Sequence, residues 1–244
     1  NPAPAPASSQ EAQADVVSIF NSSFDMGEVG KPTPGFYLLN FLLPEIAYQH
    51  PEQTYATLTA EGGAQGTCMR IPSVRGLQEY NAQSDWFYLP RDGEVEISFY
   101  AKAGPGADGV CRETPVGLDF RCFNLESNYG PVQVRYPVLF SRSFTPGKEW
   151  QRFSFRTPVK TGYPYAFWFR HTAGNTTDPL NTLELDEVRV AYAGQSQAPP
   201  PDELVAIADR DIAAFQQGET VRFQVRALLQ STAAEEAVRL EVQE

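Results

Sequence analysis

Two acidic side chains near the end of the chain have the spacing that acid–base chemistry on sugars requires. Glu184 and Asp186 are two residues apart in an apolar segment, so both fall on one face of a strand. Glycoside hydrolases use two carboxyl groups about 5–10 Å apart. The same spacing is common on solvated strand faces, so a plain surface pair is the alternative, and we expect no intrinsic catalysis.

Other patterns for catalysis or zinc binding are absent from the sequence. The two histidines, His50 and His171, are far apart, and neither a His-x-x-x-His nor a Cys-x-x-Cys pair occurs. There is no Gly-x-Ser-x-Gly elbow. Cys111 and Cys122 bracket a short segment and are the preferred disulfide pair. The alternative is three reduced thiols, with Cys68 buried in an apolar strand.

The stretch from Ser84 to Ala103 carries aromatic rings on the side that is predicted to face away from the core. Its pattern is strand, turn, strand, with Pro90–Gly93 as the turn. Alternation predicts one row that faces the core: Phe87, Leu89, Val95, Ile97 and Phe99. The opposite row mixes rings with hydrogen-bonding groups: Trp86, Tyr88, Glu96, Ser98, Tyr100 and Lys102. That mixture is unusual for a face that only meets water.

Short alternating segments continue along the chain and predict an all-β fold. They include Val116–Cys122, Phe153–Phe155, Tyr165–Phe169 and Leu183–Val190, separated by turns rich in the 18 glycines and 20 prolines. Helical periodicity is nearly absent between residues 16 and 193. We therefore predict an antiparallel β-sandwich for residues 16–193.

The two ends of the chain have a different composition. Residues 1–15 are poor in apolar side chains and predict a disordered arm. Residues 194–202 are a Pro-rich linker. Residues 203–244 contain three short strand patterns, too few for a sandwich, and predict the truncated start of a second, Ig-like β domain. Docking of this tail on the first domain, and a helix over residues 203–216, are the alternatives.

Composition excludes some classes of partner. The formal net charge of −11 and the isoelectric point near 4.7 argue against nucleic acid and anionic membranes, which require a basic surface. No apolar run approaches the roughly 20 residues of a membrane span. A signal peptide is not seen, and the Pro- and Ala-rich opening is that of a mature N-terminus or a linker.

Five short motifs, in chain order, resemble those of family 4 and family 9 carbohydrate-binding modules, which are galactose-binding-like jelly rolls. The motifs are Asn21–Gly27, Gly63–Ile71, Gly93–Lys102, Trp150–Phe153 and Leu185–Val190. They cover residues 16–193. Two departures stand out: Glu94 and Val95 replace a usual aromatic, and the loop over residues 36–50 is long and apolar.

The resemblance implies a structural calcium ion between the opening corner and the last strand. Its ligands would be the backbone of Ser23 and the side chains of Asp25 and Asp186. Calcium takes hard oxygen ligands and would join the two segments. The alternative is that Asp25 caps a turn and Asp186 is solvated.

The resemblance also implies a sugar site. Rings cover the flat C–H patches of a sugar while polar side chains bind its hydroxyls. The residues of those types on the outward rows are Trp86, Tyr88, Tyr100, Trp168 and Arg170. Such rings also lie under loops or neighbouring domains. Trp150 is expected in the core or at its edge.

The function that the resemblance implies is that of a non-catalytic carbohydrate-binding module in a secreted or cell-surface protein. It would bind polysaccharide or oligosaccharide and target an associated glycoside hydrolase, with neighbouring domains of the same polypeptide as its other partners. The alternative is a structural or protein-interaction β-sandwich without a sugar site, because one sandwich fold serves many tasks.

Overall fold

The computed structural model describes residues 17, 19–38, 56–122, 138–172, 178–192, 203–208 and 223–228. Within these residues there is no helix, and hence none long and apolar enough to cross a membrane. The strands there are β1 (Phe36–Leu38), β2 (Leu58–Glu61), β3 (Thr67–Ile71), β4 (Glu79–Ser84), β5 (Phe87–Tyr88), β6 (Gly93–Gly106), β7 (Val116–Cys122), β8 (Val138–Phe144), β9 (Gln151–Val159), β10 (Pro164–Thr172), β11 (Asn181–Tyr192), β12 (Glu203–Ala208) and β13 (Phe223–Leu228).

Eleven of these strands form two antiparallel sheets. The first sheet has the order β1-β4-β10-β7-β8, and the short β5 pairs with the start of β10. The second sheet has the order β2-β3-β11-β6-β9. Apart from β2–β3 and β7–β8, neighbours in each sheet are not consecutive in the chain, which is the crossover connectivity of a jelly roll. The predicted all-β jelly-roll sandwich is confirmed.

Aromatic side chains fill the space between the sheets. Phe99 of β6 meets Phe144 of β8 and Phe169 of β10 edge to face, with ring centroids 4.9 and 5.4 Å apart. Phe120 and Phe167 stack at 5.3 Å in the same core. The two pairs of Phe99 join one sheet to the other, and edge-to-face contacts add about 1 kcal/mol each to the burial of apolar area.

The segment from Ser84 to Ala103 divides between the two sheets. Its apolar row is buried, as predicted. However, β5 pairs with β10 in the first sheet, whereas β6 pairs with β9 and β11 in the second. The Pro90–Gly93 turn therefore connects the two sheets. The two outward rows lie on opposite sides of the molecule and do not form one surface.

The ends of the chain are described only in part. The predicted arm over residues 1–15, the linker over residues 194–202 and most of the long apolar loop lie outside the described residues. β12 and β13 form a two-stranded antiparallel sheet. The alternative helix over residues 203–216 is therefore wrong for its first six residues. The Ig-like domain stays a prediction.

The predicted disulfide is not formed. Cys68, Cys111 and Cys122 are all free thiols. Cys122 is buried in the first sheet beside Tyr165. The sulfur of Cys111 lies 3.7 Å from the carbonyl oxygen of Ala103, in the second sheet. Short separation in sequence did not bring these cysteines together, because the chain crosses from one sheet to the other between them.

Candidate functional site

β10 places its side chains alternately in the core and on the outer surface. Tyr165, Phe167 and Phe169 are fully buried between the sheets. Trp168 and Arg170 point away from that core, as successive residues of a strand must. Because β10 is the central strand of the first sheet, these two side chains lie in the middle of its outer surface, called here the first outer face.

A buried carboxylate organises the centre of the first outer face. Asp119 of β7 is only 2% exposed. Its oxygens accept hydrogen bonds from Arg170 at 2.7 and 2.8 Å, from Arg121 at 3.0 Å and from Ser141 at 2.8 Å. Gly117 leaves room for the Arg170 guanidinium, since a Cβ there would lie 3.3 Å from Nη2. One carboxylate thus holds two guanidinium groups on the sheet.

The charge of Asp119 is stabilised by these contacts. Burial alone would raise the pKa of Asp119, but the hydrogen bonds from Arg170, Arg121 and Ser141 outweigh it and hold the pKa below its usual range. The carboxylate therefore stays ionised at neutral pH. The guanidinium groups keep further N–H donors, which a planar fork directs toward oxygen acceptors.

Trp168 is stacked against one of these guanidinium groups. Arg121 Cζ lies 3.6 Å from the centre of the indole ring, which is cation–π geometry. The indole Nε1 is buried and has no hydrogen-bond partner among the described residues. One face of the ring is thus covered by Arg121. Trp168 was predicted to contact a sugar, and that stays a prediction for the face of the ring that Arg121 leaves uncovered.

Two tyrosines supply exposed rings on the same face. Tyr37 of β1 is 38% exposed, and its hydroxyl accepts a 2.9 Å hydrogen bond from Gln83. Tyr88 of β5 is 66% exposed and lies in register with Pro164. Pro164 is four residues from Trp168 along β10, about 13 Å at the rise of a strand. β4 and β5 pair with one edge of β10 and β7 with the other, so both exposed rings lie on the side of Trp168 away from Asp119.

The structure brings together only part of the predicted sugar site. Tyr88, Trp168 and Arg170 share the first outer face. Trp86 lies just before β5 and is half-buried. Tyr100 belongs to β6 and lies on the outer side of the second sheet, in register with Asp186 and Arg152. Placing Tyr100 with the others was wrong, because the turn before β6 changes sheets.

Several residues of the first outer face were not singled out from the sequence. Register aligns one row across the whole sheet: Tyr37, Gln83, Trp168, Asp119 and Ser141. Asp119 and Arg121 do alternate with the apolar residues of β7, which marks them as outward. That alternation could have identified them as surface residues. Only the pairing of β7 with β10 shows that they adjoin Trp168 and Arg170.

The opening corner and β11 meet at the turn before β3. Asp25 Oδ1 accepts hydrogen bonds from the backbone and hydroxyl of Thr67, at 2.8 and 3.0 Å. Asp186 Oδ2 accepts one from the backbone of Gln65, at 2.8 Å. A Cβ at Gly63 would lie 2.7 Å from Asp186 Oδ2, so this close approach requires glycine. Two predicted calcium ligands thus hold the same turn.

The side chain of Asp186 in the predicted calcium corner is buried and has a strongly shifted pKa. Burial, together with the nearby charges of Glu187 and Asp25, raises the pKa of Asp186 to about 7, against the effect of the hydrogen bond from Gln65. The hydroxyl of Ser23 is buried and has no partner among the described residues. No cluster of three or more His, Cys, Asp or Glu side chains suited to a metal occurs in that part of the chain. The donors would therefore be two carboxylates and backbone or hydroxyl oxygens, which is chemistry that calcium accepts.

The acidic pair Glu184 and Asp186 is engaged in contacts. Glu184 Oε1 accepts from Arg70 Nε at 2.7 Å, and Oε2 lies 2.8 Å from Lys102 Nζ. Asp186 is fully buried and bonded to the Gln65 turn. The two carboxylates do not face a shared cavity. Their contacts are those of groups that stabilise the fold.

No family model matches the sequence, and no curated protein matches it either. Solved structures do match. A CBM4 module is 17% identical, over 71% of this chain and 99% of the module, with a TM-score of 0.40. The CBM22-1 xylan-binding domain of Paenibacillus barcinonensis Xyn10C is 15% identical, over 73% and 96%, with a TM-score of 0.41.

A cyclase from Fischerella sp. TAU, solved with 4-(1H-indol-3-yl)butan-2-one, also matches. It is 9% identical, over 73% of this chain and 97% of the cyclase, with a TM-score of 0.50. At these identities the likeness is one of fold. Carbohydrate-binding modules and an enzyme are thus both among the structures similar to this jelly-roll sandwich.

Proposed function

We propose that the chain is a non-catalytic carbohydrate-binding module and that the first outer face binds the saccharide. The observation that carries the proposal is the arrangement of that face. Exposed Tyr37 and Tyr88 lie beside a centre in which Asp119 holds Arg121 and Arg170. The five motifs that resemble family 4 and family 9 modules, found independently in the sequence, support the same function.

The chemistry of this face suits a sugar chain lying across the sheet. The tyrosine rings offer flat apolar surfaces for the C–H patches of sugar rings. Ser141 and the two guanidinium groups offer donors and acceptors at fixed positions for hydroxyls. Because Asp119 already fixes both guanidinium groups, little side-chain entropy is lost when they bind.

An intrinsic activity is not part of the proposal. Glu184 is neutralised by Arg70 and Lys102, and Asp186 is buried at the Gln65 turn. Catalysis on a sugar requires one carboxylate free to exchange a proton and a second near it. The role proposed for this module is to hold an associated enzyme on a polysaccharide, outside the cell or at its surface.

The test is a binding screen on neutral oligosaccharides, followed by affinity electrophoresis in gels containing the best polysaccharide. We expect retardation of the wild-type chain, and about tenfold weaker binding for Tyr88→Ala. Tyr100→Ala is the matched control, because Tyr100 is on the other sheet. If no glycan retards the chain, the protein-interaction alternative replaces this proposal.

We also propose that calcium binds at the opening corner through Asp25 and Asp186, together with the backbone of Ser23. Bound there, the ion would supply a positive charge that joins the corner to β11. Calcium is expected to raise the melting temperature of the wild-type chain and to have no effect on Asp25→Asn. Magnesium, with its stricter octahedral geometry, serves as the control ion. An equal melting temperature in calcium and in a chelator would contradict this site.

A further inference from the structure

A second concave site lies on the opposite side of the molecule, on the outer surface of the second sheet. It is a cleft of about 590 Å³, called here the basic cleft. Gly104, Pro105, Gly109 and Thr182 line it with small side chains and backbone. Gly104 matters for its shape, since a Cβ there would lie 3.3 Å from Thr182 Cβ. Larger residues at Gly104 would reduce the space.

Three cations and one carboxylate also line the basic cleft. Register aligns Arg70, Glu184 and Lys102 across β3, β11 and β6, so their side chains are adjacent on the outer surface. Glu184 is 5% exposed and contacts both cations, at 2.7 Å and 2.8 Å. Lys148 completes the lining. The local formal charge is thus +2, in a chain whose net charge is −11.

The cations of the basic cleft are held in position. Lys102 Nζ lies 4.9 Å from the ring centre of Trp150, whose Nε1 donates a 3.1 Å hydrogen bond to the carbonyl of Gly62. Trp150 was expected in or near the core, but it is half-exposed and supports Lys102 on the surface. The turn that carries Lys148 is fixed by the 2.8 Å hydrogen bond from Ala103 N to Gly147 O.

The positive charge of Lys148 is not neutralised by Glu184, the carboxylate in the lining of the cleft. Lys148 is exposed and has no ion-pair partner among the described residues. Glu184 does not also neutralise Lys148, because both oxygens of Glu184 already have cations within 3 Å, namely Arg70 and Lys102. A concave site with excess positive charge, guanidinium donors and a wall of backbone favours a small oxyanion over a cation or an apolar group.

We propose that the basic cleft binds an oxyanion, namely the carboxylate group of an acidic saccharide. The negative charge of the rest of the chain opposes long, dense polyanions such as nucleic acid, so a short saccharide with few charged groups is the favoured ligand. The saccharide part of this proposal rests on the proposed function, whereas the oxyanion part rests on the cleft alone.

The test uses the full ¹⁵N-labelled chain and follows the backbone amides of Gly104, Gly109 and Thr182 by NMR. Sodium sulfate is titrated against sodium chloride at constant ionic strength. We expect saturable shifts of these amides with sulfate only. Lys148→Gln should weaken sulfate binding about fivefold, as the loss of one charge a few ångströms away in water implies. Lys160→Gln, at an exposed lysine paired with Asp92 elsewhere, is the matched control.

A second titration identifies the carrier of the charge. Trigalacturonate should shift the same amides, whereas its methyl ester, which has the same sugars without charge, should not. Equal shifts in sulfate and chloride, or sulfate binding unchanged in Lys148→Gln, would overturn the oxyanion site. Binding of sulfate without trigalacturonate would overturn the saccharide assignment. A failure of neutral sugars at the first outer face leaves the sulfate result intact, so the two proposals fail separately.

Discussion

Each outer face of the sandwich contains a buried carboxylate that contacts two cations, but the residues around the two clusters differ. On the first, Asp119 is buried between Arg121 and Arg170, and Arg121 stacks on Trp168. On the second, Glu184 is buried between two cations, one of which, Lys102, lies over a tryptophan. In each case a carboxylate on the central strands fixes two cations that would otherwise sample many rotamers.

The difference lies in what borders each cluster. The first outer face is bordered by the exposed rings of Tyr37 and Tyr88, which suit an uncharged, partly apolar ligand. The second cluster opens into the basic cleft, where Lys148 adds charge and Gly104 leaves space. The first cluster has a formal charge of +1, and Lys148 raises that of the second to +2. The neighbours of each cluster, and not the cluster itself, determine the class of ligand.

The comparison holds only while the core between the faces is folded, and a buried histidine in that core makes its stability sensitive to acid. His171 is buried, with Nδ1 3.1 Å from the Tyr80 hydroxyl, and burial lowers its pKa to about 4. The unfolded chain, with an ordinary histidine pKa near 6.5, binds the proton first. The contribution of His171 to the free energy of unfolding is therefore complete above about pH 6.5 and falls by about 3 kcal/mol as the pH drops toward 4. Asp186, whose raised pKa makes the folded chain bind its proton first, contributes in the opposite sense over this range.

Denaturant unfolding between pH 7 and pH 4 measures this loss. The double variant His171→Phe with Tyr80→Phe removes the titrating group without leaving a buried hydroxyl unpaired. The free energy of unfolding of this variant, relative to that of the wild type, should be about 3 kcal/mol higher at pH 4 than at pH 7. Parallel pH dependence of the two proteins would show that His171 is not the group responsible.

Removal of the central carboxylates separates the two faces. Asp119→Ala and Glu184→Ala each leave two cations without their shared partner, which should cost about 2 kcal/mol of stability, since the arginines are partly exposed and screened. Their effects on binding should be opposite. Asp119→Ala should lose saccharide binding, whereas Glu184→Ala should keep it and strengthen sulfate binding in the basic cleft.

Equilibrium unfolding and the two binding assays on the same samples check these expectations. Asp92→Ala, which removes an exposed partner of Lys160, is the control and should change stability little. If both central variants lose saccharide binding, the loss reflects general destabilisation, and the comparison between the faces fails.

Period-two alternation predicted which side chains of the strands face the core, because burial forces that pattern on any sandwich. It placed Phe87, Val95 and Phe99 inside and Trp168 outside. It could not assign strands to sheets, since pairing joins residues far apart in sequence. That is why Tyr100 was grouped with Trp168 and why Cys111 was paired with Cys122.

The contacts of the sites depend on the same missing information. Asp119 and Trp168 are 49 residues apart, yet they lie in register in adjacent strands. Arg70 and Glu184 are likewise adjacent only through the pairing of β3 with β11. The motif resemblance did bring Asp25 and Asp186 to one corner, because it carried the order of the strands with it.

Exposed aromatic rings are expected to affect binding with little effect on folding. Tyr88 is 66% exposed, so Tyr88→Ala should leave the melting temperature nearly unchanged and weaken saccharide binding about tenfold, the loss of one ring contact. Tyr37→Ala should act in the same direction. Tyr100→Ala should change neither quantity, because its ring lies on the second sheet. Equal losses from Tyr88→Ala and Tyr100→Ala would place the saccharide elsewhere.

The smallest expected effect concerns Cys111, which lines the basic cleft. It is half-buried, whereas Cys68 and Cys122 are buried, and burial raises the pKa of Cys68 to about 12 and that of Cys122 above its usual value. Iodoacetamide should therefore modify Cys111 first, as peptide mass mapping would reveal. The bulky group should reduce sulfate binding in the cleft and leave saccharide binding at the first outer face unchanged. If Cys111 and Cys122 both resist iodoacetamide until a reductant is added, these residues form a disulfide, contrary to the structure. The melting temperature with and without reductant distinguishes the free thiols from the disulfide.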